Sequence, residues 1–259
     1  MKRIVLFAGL MAVLCPASMK AAESAETSSR IRRSIPELEI ARQLILVTSE
    51  SWDASRATLR TFDREDGASA WREVRAKAPV TVGRNGMAWG VGVHGRCDSG
   101  TRFKQEGDGR SPAGIFGIGH VFGYASARES GVSTMPYLPV GSTIRWVDDP
   151  TSRYYNRAVD LRRVGNDKDW NSAEEMLRED GLYRWGAFVE HNREGAPRLG
   201  SCIFLHIWQG ETVGTSGCTA MAQERILEIV RWLDAGKYPV LVQLPGEEYT
   251  YWRPIWMLP

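Results

Sequence analysis

The chain has 259 residues, 33 of them basic and 31 acidic, and 43% of it is hydrophobic. That length suits one domain with a full core. The balanced charge, with neither a basic run nor a recognised nucleic-acid motif, gives no case for a nucleic-acid partner.

Met1-Lys2-Arg3 and the apolar run Ile4 to Leu14 have the charged start and short apolar core of a secretory signal peptide, too short to span a bilayer. Residues 1–22 are expected to be that signal, 23–40 a polar flexible leader with a helical turn near Glu37, and 41–259 one folded domain. No other stretch is long and apolar enough to cross a membrane. An exported monomer, periplasmic or in the cell envelope, is the expectation. Loss of the signal removes Lys2, Arg3 and Lys20 and leaves the protein nearly neutral. It also removes Cys15, so Cys97, Cys202 and Cys218 remain, an odd number that implies a free thiol. The simplest arithmetic pairs Cys97 with Cys202 and leaves Cys218 free; two separate buried thiols are the alternative.

Further along, Gln43 to Thr48, Ala57 to Phe62 and Val80 to Val82 predict strands, the last ending at Gly83-Arg84-Asn85-Gly86, a turn of hairpin type. More strands are predicted at 114–118, 157–160, 185–190, 202–208 and 239–244. Apolar spacing predicts two helices, Ala173 to Arg178 and Ala222 to Leu233. The pattern implies a mostly β (β-rich α+β), largely antiparallel domain without repeats. From Tyr137 to Arg157 runs a polar-aromatic insertion of the kind that shapes clefts. Arg153, Tyr154 and Tyr155 there, with His191 and Asn192 after a strand, are candidate substrate contacts. The alternative is that they cover the rim or tie down a strand end.

The most informative stretch is Phe204-Leu205-His206-Ile207-Trp208 followed by Thr215-Ser216-Gly217-Cys218-Thr219. A cysteine attacks as its thiolate and needs an imidazole or a helix N-terminus to lower its pKa. Alternation places His206 on a strand. Gly217 allows a tight turn, and the periodic Ile226, Ile229, Val230 and Leu233 predict a helix whose positive end faces the thiol. An ordinary buried cysteine is the alternative.

Thr215-Ser216-Gly217-Cys218 resembles the Ser/Thr-x-Gly-Cys signature of the L,D-transpeptidase catalytic domain (YkuD-like) family, whose base is a histidine on the preceding strand, the place of His206. Ser111-Pro112-Ala113-Gly114-Ile115-Phe116 is similar to the family's Thr/Ser-Pro-x-Gly-x-Phe/Tyr segment. The resemblance runs from about Gln43 to about Pro245. Ile207 stands where many members have glycine, Thr219-Ala220-Met221 where many have a basic residue, and the His-to-Cys interval is short, which resembles a divergent branch.

The resemblance implies a transpeptidase-like β-sandwich or barrel and no cofactor. It implies that Cys218 attacks peptidoglycan tetrapeptide stems, with stem peptides as both donor and acceptor. His206 would serve as thiolate partner, oriented by the carbonyl of Ile207 or a neighbour. The oxyanion would lie against the N–H groups of Gly217 and Cys218, in a turn braced by Thr215 and Ser216. Capture by an amine gives a cross-link; capture by water gives an L,D-carboxypeptidase. A zinc site from His94, Cys97, Cys202, His206 and Cys218 matches no tetrahedral spacing. Serine-hydrolase motifs are missing, and a non-catalytic wall-binding protein is the remaining reading.

Overall fold

The computed structural model describes residues 35–95 and 102–259. The expected signal peptide, most of the expected leader, and Cys97 lie outside them. Strand β1 (Gln43–Ser49) pairs antiparallel with β2 (Arg56–Asp63) on one side and parallel with β14 (Val240–Pro245) on the other. β14 continues antiparallel to the long β6 (Ser111–Gly123), and β6 to β11 (Trp185–Val189). β11 then pairs antiparallel with β12 (Phe204–Ile207), and β12 parallel with β13 (Thr219–Met221). β13 meets β4 (Ala78–Thr81), which returns to β2 and closes the sheet into a barrel. β3 (Arg72–Glu73) extends β2, while β5 (Met87–Trp89) and β7 (Tyr137–Pro139) join β6. The mostly β expectation holds.

β1 is buried at six of its seven positions because the barrel interior lies on one side and helices on the other. The helix Gln223–Trp232 packs on β11 and β12 through Ile226, Ile229 and Val230. Each such side chain contributes roughly 1.5–3 kcal/mol on burial. Gln43 holds that helix's end, donating to Trp232 O at 2.9 Å and accepting from Asp234 N at 2.8 Å.

Several expectations need correction. Pro36–Ile40 is a helix whose Leu38, like Ile35 before it, is buried in the core, so this part of the expected leader belongs to the packed unit. Arg64 caps its C-terminal carbonyls, bonding Ala41 O at 2.6 Å and Glu39 O at 3.1 Å, with its guanidinium over Trp71. Asn85-Gly86 does form a tight turn, with Gly86 at φ 82°, but it joins no hairpin, since β4 pairs with β2 while β5 leaves for β6. The segment expected as a helix from Ala173 is strand β10 (Ala173–Glu175). Its residues favour helix intrinsically, yet β10 pairs with β8 (Ile144–Val147), which also pairs with β9 (Ala158–Asp160). Pairing outweighs propensity over so few residues. The polar-aromatic insertion thus supplies β8, the central strand of a second, three-stranded sheet completed by β9 and β10 beyond it. It docks on the barrel through Trp146, which stacks on Phe188 at 4.5 Å and meets Phe204 edge-on at 5.2 Å.

Candidate active site

In the parallel pair β12–β13, His206 lies opposite Ala220. Side chains alternate along a strand, so Cys218, two residues before Ala220, shares the face of His206. Both line one cavity of about 400 Å³, where Cys218 is 8% and His206 7% exposed.

Cys218 is fixed from several directions. The Phe204 N–H donates to its sulfur at 3.3 Å, and its S–H donates to Cys202 O, also at 3.3 Å. Its carbonyl accepts from Thr215 Oγ1 at 2.6 Å and Ser111 Oγ at 2.9 Å, and Ser111 in turn accepts from Gly83 N at 2.8 Å. Buried Gln243 joins the same two segments, accepting from Thr219 Oγ1 at 2.6 Å and donating to Pro112 O at 2.9 Å. The two sequence motifs therefore meet in space. Gly114 explains itself in the upstream one: at φ 133°, its missing Cβ is replaced by the His94 ring, which would lie 2.0 Å from such an atom.

Gly217 does not offer the oxyanion donor expected of it. Its N–H is already directed to Thr215 Oγ1 at 3.1 Å. It is a close-approach residue, since a Cβ there would meet Arg110 O at 3.1 Å and Ile203 Cδ1 at 3.2 Å. Ser216 is exposed and accepts from Arg84 Nη1 at 3.2 Å.

The His206 ring is held by Nδ1–H donating to Ile207 O at 2.7 Å and by the edge-on ring of Tyr183 at 5.2 Å. In a neutral imidazole this places the proton on Nδ1 and leaves the Nε2 lone pair free. Burial lowers the His206 pKa to about 4 and raises that of Cys218 to about 12, against the lesser pull of the Phe204 N–H. Both directions favour the uncharged forms, a thiol and a neutral imidazole, over the expected ion pair. No helix terminus intervenes either. β13 separates Cys218 from the helix at Gln223, and the dipole effect fades within one turn.

Among the other expected contacts, Tyr154 and Arg153 lie away from this cavity. Tyr154 packs edge-on against Trp170 at 5.5 Å, and Arg153 forms ion pairs with Asp169 and Asp167 at 3.6 and 3.7 Å. Tyr155 is buried and donates its hydroxyl to Glu106, which does line the cavity. His191 accepts from Val91 N at 3.2 Å and meets Leu199 O at 2.9 Å. Asn192 clasps Ala196 and Gly200. Both are scaffold. Cys202 is a buried thiol, its sulfur 3.7 Å from Trp146 O, and the expected pairing partner Cys97 lies outside the described residues.

Asn156, which sequence reasoning missed, and the backbone of Cys202 organise this region. Asn156, at φ 60°, donates to His191 O and Asn192 O, both at 2.9 Å, and accepts from Cys202 N at 3.0 Å. Cys202 sits at φ 55°, a region non-glycine residues rarely occupy, and its carbonyl is thereby turned onto the Cys218 thiol. The missing signal is physical: a left-handed asparagine is compatible with many turns, and nothing local marks one that is buried.

A closed β-barrel presenting a buried histidine on one strand and a buried cysteine just before the adjacent parallel strand defines a class of thiol-centred domain. The chain belongs to the L,D-transpeptidase catalytic domain family, whose model matches residues 53–242. Members of that family are cysteine-dependent and act on peptidoglycan. Comparison with curated proteins and with solved structures gave no match.

Proposed function

We propose that this protein is an exported L,D-transpeptidase that acts on peptidoglycan tetrapeptide stems through Cys218 and His206. One observation carries the reading: the Ile207 carbonyl accepts the His206 Nδ1 proton, which leaves Nε2 as the ring's lone-pair nitrogen, and His206 lines one cavity with the Cys218 thiol. As the sulfur attacks the carbonyl between the third residue and the terminal D-alanine, its proton passes to Nε2. That proton then leaves with the D-alanine amine, and the enzyme keeps a thioester. An acceptor stem's amine attacks the thioester, gives its surplus proton to His206, and the thiol is restored. Since Gly217 N–H is engaged, stabilisation of the oxyanion falls to the Cys218 N–H.

The test is incubation with tetrapeptide-bearing muropeptides and mass spectrometry of the products. Dimers joined between two third-position residues, lost in Cys218→Ala, are the expected outcome. Tripeptide monomers alone, with acceptor in excess, would make the protein an L,D-carboxypeptidase on the same pair. Normal D-alanine release by Cys218→Ala would remove the mechanism altogether.

A further inference from the structure

A buried lysine lies beside the turn that carries the nucleophile. Lys104 belongs to a segment laid along β5, where Trp89 N–H donates to Arg102 O and Lys104 N–H to Trp89 O, both at 2.8 Å. Its side chain is only 3% exposed and lines the cavity that holds Cys218 and His206. Gly200 makes room for it, since a Cβ there would lie 3.0 Å from Lys104 Cγ and 3.1 Å from its Cε. The stem then ends next to the residue before the nucleophile, with Cε 3.8 Å from where a Cβ on Gly217 would stand.

The ammonium is held without being used up. Nζ donates to Gln105 O and Asp108 Oδ1, both at 2.6 Å. An ammonium carries three N–H donors, and the third has no partner among the described residues. A buried donor left over in this way marks the place of a missing acceptor. Nor does Asp108 cancel the charge outright, because the same carboxylate also accepts from Gln105 N at 2.8 Å and Arg110 N at 2.9 Å. The rest of the site is short of positive charge. Residues 219–222 after Cys218 are uncharged. Arg178 is more exposed and pairs with Asp180, while Glu106, Asp148 and Glu174 on the cavity have the opposite sign. Burial pushes the Cys218 thiol up to about 12; the Phe204 N–H pulls it down, Glu174 adds to the rise, and Lys104 and then Arg178 oppose it.

We propose that Lys104 acts on the reaction through its charge: its ammonium stabilises the negative charge that forms on the Cys218 sulfur and then on the oxygen of the attacked carbonyl. This rests on the stem-peptide reading above and adds to it the cation on which the reaction draws. The bonds change as before. Sulfur joins the carbonyl carbon as the thiol proton goes to His206 Nε2, and on collapse the carbon–nitrogen bond breaks while that proton leaves with the D-alanine amine. Between those events the tetrahedral carbon carries an oxyanion. The Cys218 N–H alone would have to hold it, because the Gly217 N–H is engaged by Thr215 Oγ1 at 3.1 Å. A buried cation beside that turn is screened little by water and adds to the stabilisation.

The experiment compares two alkylating agents of similar size, the anion iodoacetate and neutral iodoacetamide, on Cys218 of the full chain at about pH 9, with mass spectrometry to identify the labelled residue. A cation at the thiol favours the anion, so the ratio of the two rates reads local charge, whereas a change in packing or access moves both rates together. Lys104→Met is expected to lower the ratio about threefold, and Asp108→Asn, which frees the ammonium from its carboxylate, to raise it by about as much. D-alanine release by Lys104→Met should fall about tenfold in kcat with KM little changed. Should Lys104→Met fail to fold, Lys104→Met/Asp108→Asn removes the pair together and carries the same expectation. A ratio that stays constant through these variants, however much the single rates change, overturns the inference and leaves Lys104 a structural support. A normal kcat in a Lys104→Met protein whose ratio has fallen overturns it equally. A ratio that shifts as expected in a chain whose parent releases no D-alanine leaves the charge at Cys218 standing and removes the stem-peptide reading instead.

Discussion

The cavity has two walls of different origin. The barrel wall is built from one stretch of chain, Cys202 to Met221, whose parallel strands place nucleophile and base on a single face. The other wall draws on Glu174 and Asp148 from the second sheet and its edge, docked through Trp146, with Glu106 and Arg178 from loops outside that sheet. The barrel wall presents the thiol and the imidazole; the other carries charge.

The largest expected effect breaks the barrel wall. His206→Ala should lower kcat/KM by about 10²–10⁴, measured as D-alanine release, through loss of the base. The pH dependence distinguishes a neutral pair from an ion pair. With the thiol raised to about 12 and His206 lowered to about 4, iodoacetamide labelling of Cys218 should rise steadily as pH increases, because thiolate accumulates only towards the raised pKa. It should show no shoulder near neutrality and should hardly change in His206→Ala. By the same signs, the acid limb of kcat/KM should fall near pH 4, where His206 becomes protonated, rather than near its ordinary value of about 6.5. A labelling shoulder between pH 5 and 7 that vanishes in His206→Ala would establish the thiolate–imidazolium pair instead.

What could be read from the sequence divides along the same line. The Cys218–His206 face follows from local alternation and two short motifs, and most barrel strands announce themselves by β-branched runs such as Leu44 to Val47. The second sheet does not. Ala173-Glu174-Glu175 reads as helix because its strand state is imposed by pairing with residues 145–147, a non-local cause. Arg153 and Tyr154 fit a cleft by composition but face elsewhere, whereas Asp148 and Glu174 come to the cavity lining only through the pairing of two strands. The expected helix dipole at Cys218 failed for a similar reason: the three residues after it are captured by β12 and β4.

A smaller effect concerns the joint between the walls. Asn156→Ala removes one side chain that satisfies three buried backbone groups and also strains a left-handed position. Unsatisfied groups of this kind cost about 1–3 kcal/mol each where water cannot replace the bond, and with partial relaxation a total of about 3 kcal/mol is expected. That corresponds to a fall in melting temperature of about 6–12 °C for a domain of this size, measurable by calorimetry. Because Cys202 loses its anchor, the Cys218 labelling rate should change as well. A melting temperature within about 1 °C of the parent would show that solvent or local rearrangement replaces these bonds.

The smallest effect sharpens the comparison by separating charge at the cavity from charge near it. Arg153 belongs to the same insertion as Asp148, yet it is exposed and its two ion pairs are long, at 3.6 and 3.7 Å. Exposed pairs of this kind contribute about 0–1 kcal/mol, and the side chain lies outside the cavity lining. Arg153→Ala should therefore leave the melting temperature within about 2 °C and kcat/KM for D-alanine release within about twofold. A large loss of turnover in Arg153→Ala would mean that substrate extends over the outer face of the second sheet, so that the charged wall continues beyond the cavity.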